Sequence, residues 1–181
     1  FGGGTPSMLS DTHLGHLMET LDRLVPVDKL DEFSFEANPA TFTEKKVRFW
    51  RSLGMTRVSL GVQSLDSGIL HLLGREHTPA QALHSVEMLK NAGMPHINMD
   101  LMFAIPGQTL SIWEATLKEA VRAGTDHISA YNLTYEEDTE FFRSLLRGEK
   151  RQDPDEDAAF FELAEHMLEA AGLRHYETSN S

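Results

Sequence analysis

The feature that most constrains the fold is a recurring pattern, in which a helical segment ends at glycine and an apolar strand follows within a few residues. Glycine at that point readily adopts the left-handed conformation that ends a helix. The pattern is typical of βαβ units, in which parallel strands alternate with helices. It occurs at Gly54, Gly93, Gly124 and Gly172. The sequence therefore predicts an α/β fold built on a parallel sheet.

The spacing of apolar residues predicts the order of the elements. The chain begins with a strand tip, and helices are predicted at about 11–25, 43–53, 111–123 and 154–171, with a broken helical region at about 66–92. Strands are predicted at about 33–37, 57–63, 97–103, 127–133 and 174–178. Capping boxes are predicted at Thr78–Gln81 and Ser111–Glu114, and Asp153 is expected to begin the last helix.

The composition excludes several classes of protein. The formal net charge is −12 at pH 7 and no basic stripe is visible, so no nucleic-acid partner is expected. The sequence contains no cysteine, which excludes disulfides and any thiolate-held metal centre formed by these residues. No segment approaches the roughly 20 apolar residues of a membrane-spanning helix, so no membrane span is expected.

The first seven residues form a glycine-rich turn. Successive glycines at positions 2–4 let a backbone approach a ligand closely and point N–H groups at it, because no Cβ stands in the way. The run reads as the tip of a strand that turns into a helix, yet no strand precedes it. We therefore expect the chain to be the ligand-binding core of an enzyme that has lost its beginning.

Polar residues lie where predicted strands end, and a parallel α/β barrel builds its active site from such positions. Glu36 lies on the strand face opposite Phe33 and Phe35. Its carboxylate could bind ligand hydroxyls, or it could serve a salt bridge or a helix cap. The Gln63 amide can both donate and accept, which suits a sugar hydroxyl, although a bond to the backbone is an equally simple use. Asp100 interrupts an apolar strand and needs a partner, either a ligand or a structural network.

Other polar residues point less clearly to a site. The planar guanidinium of Arg75 suits a carboxylate, although a solitary arginine is most often a surface residue. His13 and His16 are three residues apart, but the histidines show no convincing metal-binding pattern.

Several runs, taken in order, are far more specific than any single residue. They are Phe1 to Ser7, Phe33 to Pro39, Ser59 to Ser64, Leu73 to His77, Asn98 to Leu101, Pro106 to Thr109 and His127 to Tyr131. Together they resemble the radical SAM superfamily, specifically the oxygen-independent coproporphyrinogen III oxidase group and its heme chaperone relatives. The resemblance covers essentially the whole chain. The runs Tyr131 to Thr139 and Tyr176 to Asn180 are more similar to the heme chaperone branch.

This resemblance implies a partial (β/α)6 radical SAM barrel, incomplete at its N-terminal strands. Residues 1–181 would run from the end of strand 2 through strand 6 and the following helix and strand. It also implies S-adenosylmethionine (SAM) bound against a [4Fe–4S] cluster, whose electron would release methionine and a 5′-deoxyadenosyl radical. The family's Cys-x3-Cys-x2-Cys motif and its C-terminal domain are both absent from this sequence. The chain is therefore expected to be a fragment that cannot ligate the cluster and is inactive alone.

The same resemblance assigns the amino-acid part of SAM. By position in the family motifs, Gly3, Gly4 and Thr5 would hold the methionine amino group. Arg75 would pair with the methionine carboxylate.

It assigns the nucleoside part as well. Glu36 and Gln63 would bond the ribose hydroxyls, and Asp100 would line the same pocket. Thr134, at the end of the sixth strand of the barrel, would lie near the adenine.

The function implied first is that of a cytoplasmic heme chaperone, which binds heme and passes it to a heme-requiring recipient protein. The first alternative is the oxidase, which decarboxylates two propionates of coproporphyrinogen III. Both would need an electron donor, and an intact parent protein could have coproporphyrinogen dehydrogenase activity. A barrel that binds a phosphorylated metabolite without a cluster is an alternative of another class, because barrels support many chemistries.

Overall fold

The computed structural model describes residues 1–132 and 154–181 of the 181-residue chain. Four strands form one sheet: β1 (Ser34–Ala37), β2 (Arg57–Gln63), β3 (His96–Phe103) and β4 (His127–Asn132). The helices are α1 (Asp11–Asp22), α2 (Glu44–Ser52), α3 (Ser67–Leu72), α4 (Pro79–Asn91), α5 (Leu110–Ala123) and α6 (Pro154–Ala170). Short 3-10 turns lie at Pro6–Met8 and Val27–Lys29. Within the described residues, no helix is long and apolar enough to cross a membrane.

The sheet is parallel, with the strands in the order β1-β2-β3-β4. Parallel strands need a crossover connection, and helices supply it between successive strands. The register places Glu36 opposite Ser59 and Asp100 opposite Ser129. All four strands therefore end at the same edge of the sheet.

One face of the sheet is apolar and carries the helices. Strand residues such as Val58, Met99 and Ile128 belong to one hydrophobic core with helix residues that include the fully buried Trp50 and Trp113. Because side chains alternate along a strand, the intervening polar residues lie on the opposite face. This second face carries the candidate site.

Most predicted elements are confirmed, with small shifts at their ends. The capping box at Thr78 and Gln81 is present in full. Helix α1 ends at Asp22 rather than at about residue 25. There the N–H groups of Leu24 and Val25 both bond the carbonyl of Leu21. Pro26 follows and disfavours the helical conformation in the residue before it.

Two predictions about the elements are wrong, one about a helix cap and one about a strand. Helix α5 is capped by Thr109, whose side chain accepts a hydrogen bond from the N–H of Ile112. Ser111 is already inside the helix, and its hydroxyl lies 2.9 Å from that of Thr109. Thr109 is the cap because the helix begins directly after it, at Leu110. The predicted cap at Asp153 lies outside the described residues.

The second error is the strand predicted at about 174–178, which is not formed. The chain reverses instead in a turn where the N–H of Asn180 bonds the carbonyl of Glu177. Pairing with β4 therefore begins beyond that turn. The N–H of Ala130 bonds the carbonyl of Ser179, and Ile128 exchanges two backbone bonds with Ser181.

Candidate functional site

A polar cleft of about 210 Å³ opens where the strands end. This volume is below the roughly 300–1,000 Å³ of typical ligand pockets, so the cleft encloses part of a ligand of nucleotide size. Its described lining contains two carboxylates and no lysine or arginine. The lining residues are Gly4, Thr5, Pro6, Glu36, Ala37, Asn38, Ser59, Gly61, Gln63, Asp100 and Tyr131.

The glycine-rich turn is held against the first strand through Glu36. The carbonyl of Phe1 accepts a hydrogen bond from the N–H of Glu36, and the N–H of Gly3 donates to Oε2 of the Glu36 carboxylate at 3.0 Å. Gly3 and Gly4 have φ angles of +81° and +65°, a region that favours glycine. A Cβ at Gly2 would lie 2.5 Å from Oε1 of Glu36. The glycines therefore let the turn approach the carboxylate, which stays exposed and able to bind a ligand.

Gln63 is held in a backbone conformation that is unusual for its type. It ends β2 at φ +67°, and a register irregularity between Leu60 and Gln63 interrupts the pairing with β3. Such bulges re-aim side chains near functional sites. The side chain is only 6% exposed, and its Oε1 accepts a hydrogen bond from the Tyr131 hydroxyl at 2.9 Å.

Asp100 is the centre of a hydrogen-bond network on the polar face. The Ser59 hydroxyl lies 2.9 Å from its Oδ2, and the Asn98 amide donates to its Oδ1 at 2.7 Å. Burial raises the pKa of the Asp100 carboxyl, and the Glu36 charge adds to the rise, although bonds from Ser59, Asn98 and Ser129 oppose it. The network therefore partly offsets the desolvation of a carboxylate that also faces the cleft.

The network continues away from the cleft through Asn98. Its Nδ2 faces Asp100, so its Oδ1 accepts from Nδ1 of His127 at 2.6 Å. This assigns the His127 proton to Nδ1 and leaves Nε2 to accept from the Tyr176 hydroxyl at 2.5 Å. Burial lowers the pKa of His127, and the charge of Arg57 lowers it further. A neutral imidazole thus links the sheet to the C-terminal turn.

Arg75 follows α3 and is half-buried. It is not among the residues that line the cleft. Its charge nevertheless reaches the site. Burial raises the pKa of Tyr131, with the Asp100 charge adding to the rise, while the Gln63 hydrogen bond and the Arg75 charge oppose it.

The structure brings most of the predicted site residues together. Gly4, Thr5, Glu36, Gln63 and Asp100 all line the cleft. Gly3 contacts the cleft through its bond to Glu36. Thr134 lies outside the described residues.

Sequence reasoning did not assign roles to Asn38, Ser59 and Tyr131, which also line the cleft. A usable signal was present. Ser59 and Gln63 lie on one face of β2, as Asn98 and Asp100 do on β3, and alternation alone places them together.

The donor groups of the cleft fit SAM, but they do not fit a [4Fe–4S] cluster. Carboxylates, an amide and a glycine turn can bind the hydroxyls and the cationic groups of SAM. A [4Fe–4S] cluster needs cysteine thiolates, and this chain has no cysteine. No group of three or more potential metal ligands occurs among residues 1–132 and 154–181. A cluster beside this cleft would therefore need thiolates from outside these residues.

Comparison with known proteins identifies the family. The sequence matches the radical SAM superfamily over residues 1–120. The chain belongs to this superfamily. Members of the radical SAM superfamily bind SAM and a [4Fe–4S] cluster.

Among curated proteins, this radical SAM chain is similar to heme chaperones. It is 35% identical over 181 residues to the heme chaperone HemW of Bacillus subtilis, covering 99% of this chain and 48% of the relative. It is 38% identical over 181 residues to HemW of Mycobacterium tuberculosis strain H37Rv, covering 99% and 46%. The identity to the mitochondrial radical S-adenosyl methionine domain-containing protein 1 of Danio rerio is 35%, covering 99% and 41%. The chain thus spans about half the length of the curated relatives it matches.

Solved structures confirm the predicted fold. The coproporphyrinogen III oxidase HemN of Escherichia coli superimposes with a TM-score of 0.85 at 23% identity, covering 99% of this chain and 41% of that chain. Elp3 of Methanocaldococcus infernus gives a TM-score of 0.77 at 24% identity, covering 91% and 43%. The sheet is thus part of a radical SAM barrel.

Proposed function

We propose that this chain is the SAM-binding core of a radical SAM heme chaperone, a protein that binds heme and transfers it to heme-requiring proteins. The observation that carries the proposal is the cleft in which the glycine turn, Glu36, Gln63 and Asp100 meet at the ends of parallel strands. The similarity to the HemW chaperones over 99% of the chain supports the choice of branch.

The amino-acid part of SAM would lie at the glycine turn. The backbone of Gly3, Gly4 and Thr5 would hold the methionine amino group, with the Glu36 carboxylate close by, since Gly3 already bonds it. Arg75, which is half-buried after α3, would pair with the methionine carboxylate through its planar guanidinium. The two carboxylates of the cleft favour a ligand that carries positive charge, as the SAM sulfonium does.

The nucleoside part would extend along the sheet edge. Glu36 and Gln63 would bond the ribose hydroxyls, which both donate and accept. Asp100 would line the same cleft with an orientation fixed by Ser59 and Asn98. Thr134 would lie near the adenine. When bound and reduced, SAM supplies a 5′-deoxyadenosyl radical. The cleft residues would bind and orient the SAM molecule.

The rest of the protein's function extends beyond these residues. We propose that the chain is part of a longer protein whose other segments provide the cluster thiolates. That protein would bind heme or a porphyrinogen, receive electrons from a donor, deliver heme to a recipient and work in the cytoplasm.

The alternatives differ in what supports them. The oxidase function is favoured by the similarity of the fold to that of HemN. At 23% identity, however, this similarity supports the fold alone. A barrel that binds a phosphorylated metabolite is disfavoured, because the described lining of the cleft is acidic and would repel a phosphate.

The experiment that separates chaperone from oxidase uses the gene product that contains this chain. Reduced and supplied with SAM and coproporphyrinogen III, it should form no protoporphyrinogen IX, and it should bind heme in an absorbance titration. Vinyl formation over multiple turnovers would contradict the chaperone function and leave the SAM site in place.

A further inference from the structure

A hydrogen bond joins two strands across the candidate cleft. Tyr131 lies near the end of β4 and Gln63 ends β2, with β3 between them. The Tyr131 hydroxyl donates to Oε1 of Gln63 at 2.9 Å, and both residues line the cleft. The phenol therefore reaches over a neighbouring strand to hold an amide at the site.

The backbone and the neighbours of Gln63 also fix the position of its side-chain amide. The backbone is left-handed at φ +67°, a conformation that non-glycine residues adopt at a cost. Gly61 leaves room for the amide, because a Cβ there would lie 3.1 Å from Nε2 of Gln63 and 2.9 Å from Oδ1 of Asn38. An unusual backbone and a tailored space both serve the position of one side-chain amide.

The bond also decides which atom of the amide is available. Oε1 is engaged by Tyr131, and within residues 1–132 and 154–181 no hydrogen bond from Nε2 is present. A bound ligand would thus meet an N–H donor at Gln63 rather than a carbonyl oxygen.

We infer that Tyr131 is a positioning residue, which holds the Gln63 amide so that Nε2 donates to an oxygen acceptor of the ligand. The identity of that acceptor rests on the proposed function, under which it is a ribose hydroxyl oxygen of SAM. Tyr131 acts through Gln63 in this account and needs no contact of its own with the ligand.

The first arm of the test needs no ligand. The side-chain amide signals of Gln63 in a ¹⁵N–¹H correlation spectrum are assigned by their loss in Gln63→Ala. Tyr131→Phe should shift these signals and lower their heteronuclear NOE, because the amide is released. The matched control is Tyr176→Phe, which removes the hydroxyl that bonds His127 and should leave the Gln63 signals unchanged. Unchanged Gln63 signals in Tyr131→Phe would overturn the inference.

The second arm measures SAM affinity by calorimetry in a double-mutant cycle, made in the gene product that contains this chain. Tyr131→Phe should weaken binding about fivefold in the wild-type background, the equivalent of one neutral hydrogen bond. In the Gln63→Ala background the same change should alter affinity less than about twofold, because no amide remains to be held. Equal losses in both backgrounds would mean that Tyr131 acts independently of Gln63. If the wild-type chain binds no SAM, the proposed function fails, and the spectroscopic arm still decides whether Tyr131 holds Gln63.

Discussion

The backbone N–H of Gly3 and the carboxylate of Glu36 are joined by a hydrogen bond of 3.0 Å. The bond ties the first residues of the chain to the first strand, across 33 positions of sequence. It also places the backbone of the turn and the Glu36 carboxylate side by side at one cleft, where they can bind one ligand together. The space between them is narrow, because even a methyl group at Gly2 would overlap Glu36.

Gly2→Ala should therefore displace the Glu36 side chain and weaken SAM binding roughly tenfold, as expected when a charge-assisted hydrogen bond is lost. Stability should change little, because an exposed side chain can move aside. The control is Gly15→Ala, in helix α1, where the nearest atom would lie at an ordinary 3.9 Å. That change should raise stability by about 0.5–1 kcal/mol and leave SAM affinity unaltered. Equal SAM affinity in Gly2→Ala and wild type, by calorimetry, would separate the turn from the site.

The left-handed backbone of Gln63 predicts an unusual order of stabilities. Gln63→Gly should be more stable than Gln63→Ala by about 1 kcal/mol, because only glycine adopts φ +67° without a steric penalty. Both variants lose the amide and should bind SAM equally weakly. Urea unfolding gives the stabilities, and an alanine variant as stable as the glycine variant would show that the conformation carries no cost.

Asp100 predicts a pH dependence of stability. Its pKa in the folded chain is raised above the ordinary value of 3.8, mainly by burial. Between the unfolded and folded pKa values the folded state binds more protons, so the free energy of unfolding falls as pH rises through that window. Asp100→Asn removes this contribution and keeps an acceptor for Ser59. The stability of Asp100→Asn relative to wild type should therefore increase from pH 4 to pH 7 in urea unfolding. A difference that does not vary with pH would contradict the raised pKa.

Arg75 predicts a ligand-dependent effect. If its guanidinium pairs with the methionine carboxylate, Arg75→Ala should weaken SAM binding at least tenfold, since such contacts contribute about 1.5–3 kcal/mol. Decarboxylated SAM, which lacks that group, should bind the variant and wild type almost equally. Arg48→Ala removes an exposed arginine that pairs with Glu44 on α2 and should affect neither ligand. An equal loss for both ligands in Arg75→Ala would place Arg75 elsewhere.

Local signals predicted most of the fold. Glycine at helix ends and Thr-Pro at the start of α4 act within a few residues, so they can be read directly from the sequence. The cap of α5 was misplaced because Thr109 and Ser111 both have hydroxyls, and only the backbone shows which residue precedes the first turn. The strand expected at about 174–178 was wrong because the turn at Glu177 and Asn180 decides where pairing begins.

The candidate site could be predicted only in part. Glu36 and Gln63 stand out because each is polar at the end of an apolar strand, and Asp100 stands out because it interrupts one. The contact between Tyr131 and Gln63 joins residues 68 positions apart, and it depends on the strand order and on the bulge in β2. The hydrogen bonds from Asn98 to His127 and from His127 to Tyr176 join residues that are far apart in the sequence. Local sequence patterns therefore do not reveal them.

The most direct measurement of the central claim is a calorimetric titration of SAM into the gene product that contains this chain, with Glu36→Gln and Glu87→Gln in parallel. Glu87 is exposed on α4 and pairs with His84, so it controls for the loss of one acidic charge. We predict one SAM bound per chain, affinity at least tenfold weaker in Glu36→Gln, and no change in Glu87→Gln. Absence of binding by the wild-type chain, or equal affinity in the two variants, would contradict the assignment of this cleft as a SAM site.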